Sequence, residues 1–224
     1  MVYSIGKVSV YETEPDNEVV GTREGIWDKV EYLNPDAVDR HANGEENHSR
    51  RLGYGYPIAP DTAPKAVLWK SKTKLPPDYA FGNNEIMLVS SRFRDLVERF
   101  EPGIHQFLPV GMYFSKQDEK PFDTFYWFVC CQLIDSLDPD HTTIPWRGFY
   151  DERMEDGLRR GRWHINAEAQ PPQKAVFSLK DIGDRHLWRD PYFGRGIVNC
   201  SNAFGDAVKY AKLSGFALSK DEQI

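Results

Sequence analysis

Four side chains in one short stretch are of types that move protons. In "FSLKDIGDRHLWRD", Phe177 to Asp190, the candidates are Asp181, Asp184, His186 and Arg189. Carboxylates, an imidazole and a guanidinium within hydrogen-bond reach make a general acid–base site, of the kind a hydrolase uses. Their placement along the chain favours scaffold instead. "SLKDIGD" reads as a strand running into a one-turn helix or tight turn, with Asp181 and Gly183-Asp184 as turn formers. In a following short strand, His186 and Trp188 fall on one face, Leu187 and Arg189 on the other. Arg189 and Asp190 read as a local charge pair beside Pro191. The stretch is expected to supply no catalytic residue, though Trp and Arg are types that anchor interfaces.

The rest of the chain is poor in reactive patterns. It holds no GxSxG, no Walker loop, no HExxH and no CxxC pair. "GYGYP" at 53–57 opens no helix and reads as a tyrosine-bearing turn. Six histidines (41, 48, 105, 141, 164 and 186) are scattered. His41 and His48, with Glu45 and Glu46 between them, are the one pair near enough to hold a divalent ion weakly. A solvated loop is the simpler reading, and no metal or cofactor is expected. Cys130, Cys131 and Cys200 are an odd set, two of them adjacent in an apolar run. They read as buried, reduced thiols rather than nucleophiles.

The elements that position these groups sharpen after residue 80. Val2 to Tyr11, Val67 to Trp69 and Ile86 to Val89 are strand patterns. Ile26 to Asp39 holds one short helical candidate, and 41–64 is loop-like. Ser90 or Ser91 caps a helix whose Phe93, Leu96, Val97 and Phe100 share a face, stopped by Pro102-Gly103. His105 to Val110 is a strand. Phe122 to Ile134, "FDTFYWFVCCQLI", is dense in β-formers and reads as a central strand apolar on both faces. "RMEDGLRRGRW" carries four arginines, with Gly157 and Gly161 weakening any helix, and reads as an exposed insertion. Ala175 to Leu179, His186 to Arg189 and Gly196 to Cys200 are short strands. Ser201 caps a helix to about Leu213, Gly215 ends it, and Phe216 to Leu218 closes the chain.

The fold class is therefore α+β, a mixed and mainly antiparallel sheet with a few helices. Residues 1–80 form an acidic, loop-rich region. Residues 81–224 form the α+β core, with an insertion at about 141–172. One compact domain is expected, two lobes being the alternative. Two stretches also match each other. Ser90, Phe93, Asp95 and Val97 align with Ser201, Phe204, Asp206 and Val208 at a constant offset of 111. An internal repeat and a chance coincidence of common cap chemistry both fit that pattern.

Charge narrows the partners. The net charge is −6, and residues 1–50 hold all of the excess, with eleven acids against five Lys and Arg. A nucleic-acid binder needs a basic face, so that class is disfavoured. An acidic patch suits a basic protein partner. The opening residues lack the apolar core of a signal peptide, and the most apolar run is too short to span a bilayer. A cytoplasmic protein is expected.

Five stretches then form a familiar order: "LVSSRFRDLVE", "FEPGIHQFLPV", "FYWFVCCQLIDSLD", "VFSLKDIGDRHLWRD" and "GIVNCSNAFGDAVKYAKLSGFALS". Together they resemble a family of bacterial polymorphic-toxin immunity proteins, the eleventh in its numbering and formerly a domain of unknown function. The resemblance covers roughly residues 80–218, through Leu88-Val89-Ser90, Phe107 to Val110, Cys131 to Asp138, His186 to Arg189 and Ile197 to Leu218. Trp188 stands where that family's pattern suggests Phe. Residues 1–80 and the arginine-rich insertion match little of it. The resemblance implies a protein that binds and neutralises a cognate toxin domain, with no reaction and no cofactor. It makes Ser90, Pro109, Asp184, His186, Trp188, Arg189 and Gly215 scaffold positions. Residue types and charge nominate Asp28, Glu31, Asp36, Asp39, Glu45 and Glu46 as steering groups and Trp146, Arg147 and Trp163 as anchors for the partner. An enzyme that reverses toxin damage and an adaptor without a toxin partner are the alternatives.

Overall fold

Ser90 ends one strand and begins one helix, and most of the architecture follows from doing this twice. Its Oγ accepts the Phe93 backbone N–H at 3.3 Å, which satisfies a free donor of the first helical turn. Ser201 does the same for Phe204 at 3.2 Å. The computed structural model describes residues 2–7, 19–24, 33, 55–69, 75–81, 87–153, 159–166, 170–193 and 197–224. The strands are β1 (Val2–Lys7), β2 (Val19–Glu24), β3 (Ala66–Trp69), β4 (Tyr79–Phe81), β5 (Met87–Val89), β6 (Gln106–Tyr113) and β7 (Asp123–Val129). They continue with β8 (Trp146–Arg153), β9 (Arg159–Trp163), β10 (Val176–Phe177), β11 (Leu187–Trp188), β12 (Val198–Ser201) and β13 (Phe216–Gln223). The helices are α1 (Ser91–Phe100), the single turn α2 (Leu179–Ile182) and α3 (Asn202–Tyr210). The class is α+β, dominated by sheet.

One sheet has the order β2-β3-β6-β7-β5-β4, a second β10-β13-β1-β12-β11, and β8 and β9 pair with each other alone. Only β3 with β6 and β10 with β13 run parallel among the paired strands. β7 is central, antiparallel to both β5 and β6. Its alternate side chains serve different cores: Phe125 and Trp127 face one, Phe128 the other. That is why the segment reads as apolar on both faces. The strand is shorter than its apolar run, however. After Val129 the backbone leaves the sheet: the Cys131 N–H donates to His105 Nδ1, and Ile134 N–H donates to the Arg189 carbonyl. The closing strand, in contrast, runs to Gln223: β1 pairs with it from Phe216 to Asp221, and β10 takes Glu222 and Gln223.

The two serine-capped units are a structural repeat. β5 and β6 flank β7, and β12 and β13 flank β1, all four pairs antiparallel. Met87 and Phe107 stand on either side of Phe128; Val198 and Leu218, each 111 positions later, stand on either side of Ile5. The resemblance extends to the next row. A cation lies 4.4 Å from a tyrosine ring centroid in both units, Arg94 over Tyr126 and Lys209 over Tyr3. Shared cap chemistry alone does not produce matching strand register, so the offset of 111 marks repeated architecture.

The units meet face to face. Phe93 and Phe204 approach edge-on at 6.1 Å, within a core cluster that takes residues from both sheets and both longer helices. Asp78, itself buried, fastens the seam. Its carboxylate accepts Ser90 Oγ at 2.7 Å, Ser214 N–H at 2.9 Å and Arg92 at 3.2 Å. Arg92 also donates to the Ala211 carbonyl at the end of α3. Gly215 follows at φ +97°, where a Cβ would stand 2.0 Å from the Tyr79 carbonyl oxygen, so only glycine fits this approach.

Candidate partner-binding surface

The residues of the acid–base stretch are held apart. Asp181 is exposed in α2, where its N–H is taken by the cap Ser178. The Asp184 side chain is fully exposed, with Arg185 its neighbour at 3.7 Å. His186 is pinned between helices. Its Nδ1 bonds to Ser201 Oγ at 2.8 Å and its ring packs edge-on against Phe100. That places the imidazole on the same side as Leu187, not with Trp188 as alternation predicts. β11 starts only at Leu187, so strand alternation does not reach back to His186. Leu187 and Trp188 do face opposite cores. Arg189 is 5% exposed and directs a nitrogen to Met87 Sδ at 3.8 Å. Asp181 and Asp184 thus face solvent, while His186 and Arg189 are held by Ser201 and Met87, so the four are not gathered as an acid–base set.

Asp190 does not pair with Arg189 as expected. Its Oδ2 accepts the Ser136 N–H at 2.8 Å, Ser136 Oγ at 3.0 Å and the Leu137 N–H at 3.3 Å, while Oδ1 accepts the Tyr192 N–H at 2.8 Å. Successive residues of an extended chain point to opposite sides, which separates the two charges. Burial raises the Asp190 pKa to about 6, against the lowering effect of those donors. The folded state therefore holds this proton more tightly than the unfolded chain, whose ordinary value is 3.8. Its contribution to stability is complete below pH 3.8 and is lost as pH rises through about 6. Asp190→Asn should remove that slope, on the order of 3 kcal/mol between the two limits. The amide should also destabilise at every pH by about 1–3 kcal/mol, because its NH2 must face one of the N–H donors. Urea unfolding of both proteins from pH 4 to 7 checks this; parallel profiles would show that Asp190 is not the titrating group.

The thiols are equally passive. Burial pushes Cys130 and Cys200 up to about 12 and Cys131 up to about 11, so none is a thiolate at neutral pH. Among the described residues no group of three or more metal-ligating side chains converges, and His41 and His48 lie outside them.

The arginine-rich segment behaves differently. Trp146 and Trp163 face each other across β8 and β9, with rings edge-on at 5.2 Å, and Tyr192 lies 5.6 Å from Trp146. Trp163 is 6% exposed and belongs to the third core cluster, with Phe177 and Trp188. Gly161, at φ +146°, lets the Trp146 indole lie across it; a Cβ there would stand 2.6 Å from the indole nitrogen. The base of the hairpin is thus clamped to the protein by aromatic packing. The next pair, Arg147 with Arg162, takes the opposite side of the ribbon, and both are exposed. Of the three anchors nominated by residue type, Arg147 is turned outward and the tryptophans inward. Asp28, Glu31, Asp36, Asp39, Glu45 and Glu46 lie outside the described residues.

A family model described as "Immunity protein family (Imm11)" matches residues 13–222. The chain belongs to this immunity protein family. Among curated proteins, none is significantly similar to it. The match reaches far into the first eighty residues, which carry little visible resemblance. It also spans the arginine hairpin. No helix among the described residues is long and apolar enough to cross a membrane.

The seven positions taken from the Imm11 resemblance have distinct environments. Ser90, Trp188 and Arg189 are buried, and Gly215 sits at the backbone approach described above. Pro109 lies in β6 opposite Tyr126, before β3 begins to pair at Gly111, so its missing N–H costs no ladder bond. Asp184 and His186 have the environments already given. Three carboxylates have structural roles that the sequence does not show: Asp78 and Glu101 carried no signal, and Asp190 read as the partner of Arg189. Each sits beside a Pro, Tyr or Arg in a turn, and each gathers donors from residues far along the chain.

Proposed function

We propose that this protein binds a cognate bacterial toxin and neutralises it in the cytoplasm of the producing cell, by occupation and without a reaction of its own. The nearly full-length match to the immunity family carries the reading. The dispersal of Asp181, Asp184, His186 and Arg189 supports the binding mode over enzymatic reversal. The acidic first fifty residues favour a toxin with a basic face, since opposite charge speeds encounter.

The test is co-expression with the toxin domain encoded beside this gene. A stoichiometric complex that survives purification, with loss of toxin activity, is the expected result. Protection of cells without a complex, abolished by alanine at Asp184 and His186, would overturn it in favour of catalysis. Reversal of Asp28, Glu31, Asp36 and Asp39 to lysine should slow association and weaken its salt dependence. An unchanged association rate would remove these acids from the encounter.

A further inference from the structure

We infer that the outward face of the β8–β9 hairpin docks a carboxylate-rich patch on the toxin, with Arg147 and Arg162 as its paired contacts. The inference rests on the immunity reading and adds where the partner binds and by what chemistry.

Arg147 and Arg162 are directly opposite across the ribbon. Like charges at opposed positions of a sheet repel, so folding alone gives no reason to keep them. Both are exposed, and among the described residues neither has a hydrogen-bond or ion-pair partner. Further along the two strands, Phe149 pairs with Arg160 and Arg153 with Arg159. Asp151 and Glu152 leave the two strands with a net positive charge, in a chain whose net charge is −6.

The hairpin is built to present this face. Among the described residues it joins neither large sheet, and Trp146 and Trp163 hold its base against the third core cluster. Two clamped strands fix the spacing of the Arg147 and Arg162 backbones, which limits the ordering cost on binding to the side chains. A guanidinium takes a carboxylate through two parallel N–H···O bonds, a geometry lysine does not offer. Two forks side by side therefore match two or more clustered carboxylates. A phosphate backbone would satisfy the same forks, but the chain's net negative charge opposes a polyanion that must be tracked over many residues. A basic toxin remains compatible, because the hairpin reads a local patch and not net charge.

The test measures affinity of the purified protein for the toxin domain encoded beside its gene, at 150 mM salt. Arg147→Glu with Arg162→Glu should raise Kd at least 100-fold while leaving the melting temperature in place. Arg147→Gln with Arg162→Gln should give a smaller loss, which separates lost contacts from added repulsion. Arg99→Glu with Lys180→Glu, the same charge change on exposed sites of α1 and α2, should leave Kd within threefold. A Kd within threefold for the hairpin reversal would overturn the inference and leave the immunity reading standing. Failure of the unaltered protein to bind the toxin domain would overturn both. Tight binding of labelled 20-mer RNA or DNA duplex, lost on hairpin reversal, would put nucleic acid in the toxin's place and also overturn it.

Discussion

Phe93→Ala should lower the unfolding free energy by about 3–5 kcal/mol. Phe93 is fully buried on the core-facing side of α1. Its ring meets Tyr79 at 5.6 Å, Phe128 at 5.4 Å, Phe204 at 6.1 Å and Phe216 at 5.6 Å. Those neighbours come from β4, β7, α3 and β13, so the cavity would open where the two repeated units meet. Four separate elements frame it, and none can close it without moving a strand or helix. A domain's whole stability is typically about 5–15 kcal/mol, so the variant should unfold at far lower urea. Phe204→Ala should cost less than the sum when combined with Phe93→Ala, since both empty the same seam. A loss under about 1 kcal/mol for Phe93→Ala, read from the urea midpoint, would mean that the units do not depend on this contact.

Glu101→Ala should cost about 3 kcal/mol or more, although it removes no apolar surface of note. Glu101 caps the C-terminal end of α1 and is 7% exposed. Its Oε1 accepts the His186 N–H at 2.6 Å, and its Oε2 accepts the Leu187 N–H at 3.2 Å and His105 Nε2 at 2.6 Å. His105 Nδ1 accepts the Cys131 N–H, so the ring proton sits on Nε2 and points at the carboxylate. One side chain thus joins α1, the loop before β6 and the edge of β11. Truncation would leave two backbone donors and an imidazole facing an empty buried site. Burial raises the Glu101 pKa, but the bonds from His105, the His186 N–H and Gln132 outweigh it and hold the carboxyl below its ordinary value. Stability from this group is therefore present above the ordinary glutamate range and is lost as pH falls through the lower folded value. The sign is opposite to that of Asp190. Glu101→Gln should lose less than alanine, since one oxygen still accepts. Equal losses for the two variants, measured by urea unfolding at pH 7, would place the effect in packing instead.

Much of the architecture is local chemistry and was legible. The caps at Ser90 and Ser201 and the one-turn helix after Ser178 depend on neighbouring residues, so reading neighbours suffices; the last helix, in contrast, ends at Tyr210 and not at Gly215, which answers the distant Tyr79 carbonyl. The two-faced apolar strand at β7 follows from its run of aromatics, and the α+β class follows from the order of such elements. The matching offset of 111 is a sequence fact whose meaning needed strand register. The tertiary structure decided what alternation and proximity could not. His186 turns away from Trp188 because its strand begins one residue later. Arg189 and Asp190 are neighbours in sequence and yet serve different cores. Cys131 leaves the sheet because a histidine from the loop before β6 takes its N–H. In the hairpin, composition showed four clustered arginines, but only pairing register showed that the tryptophans face inward and Arg147 stands opposite Arg162. The structural roles of Glu101, Asp78 and Asp190 stayed invisible for one physical reason. A carboxylate becomes structural through the donors it gathers, and those donors come from residues tens of positions away, which only the folded chain brings together.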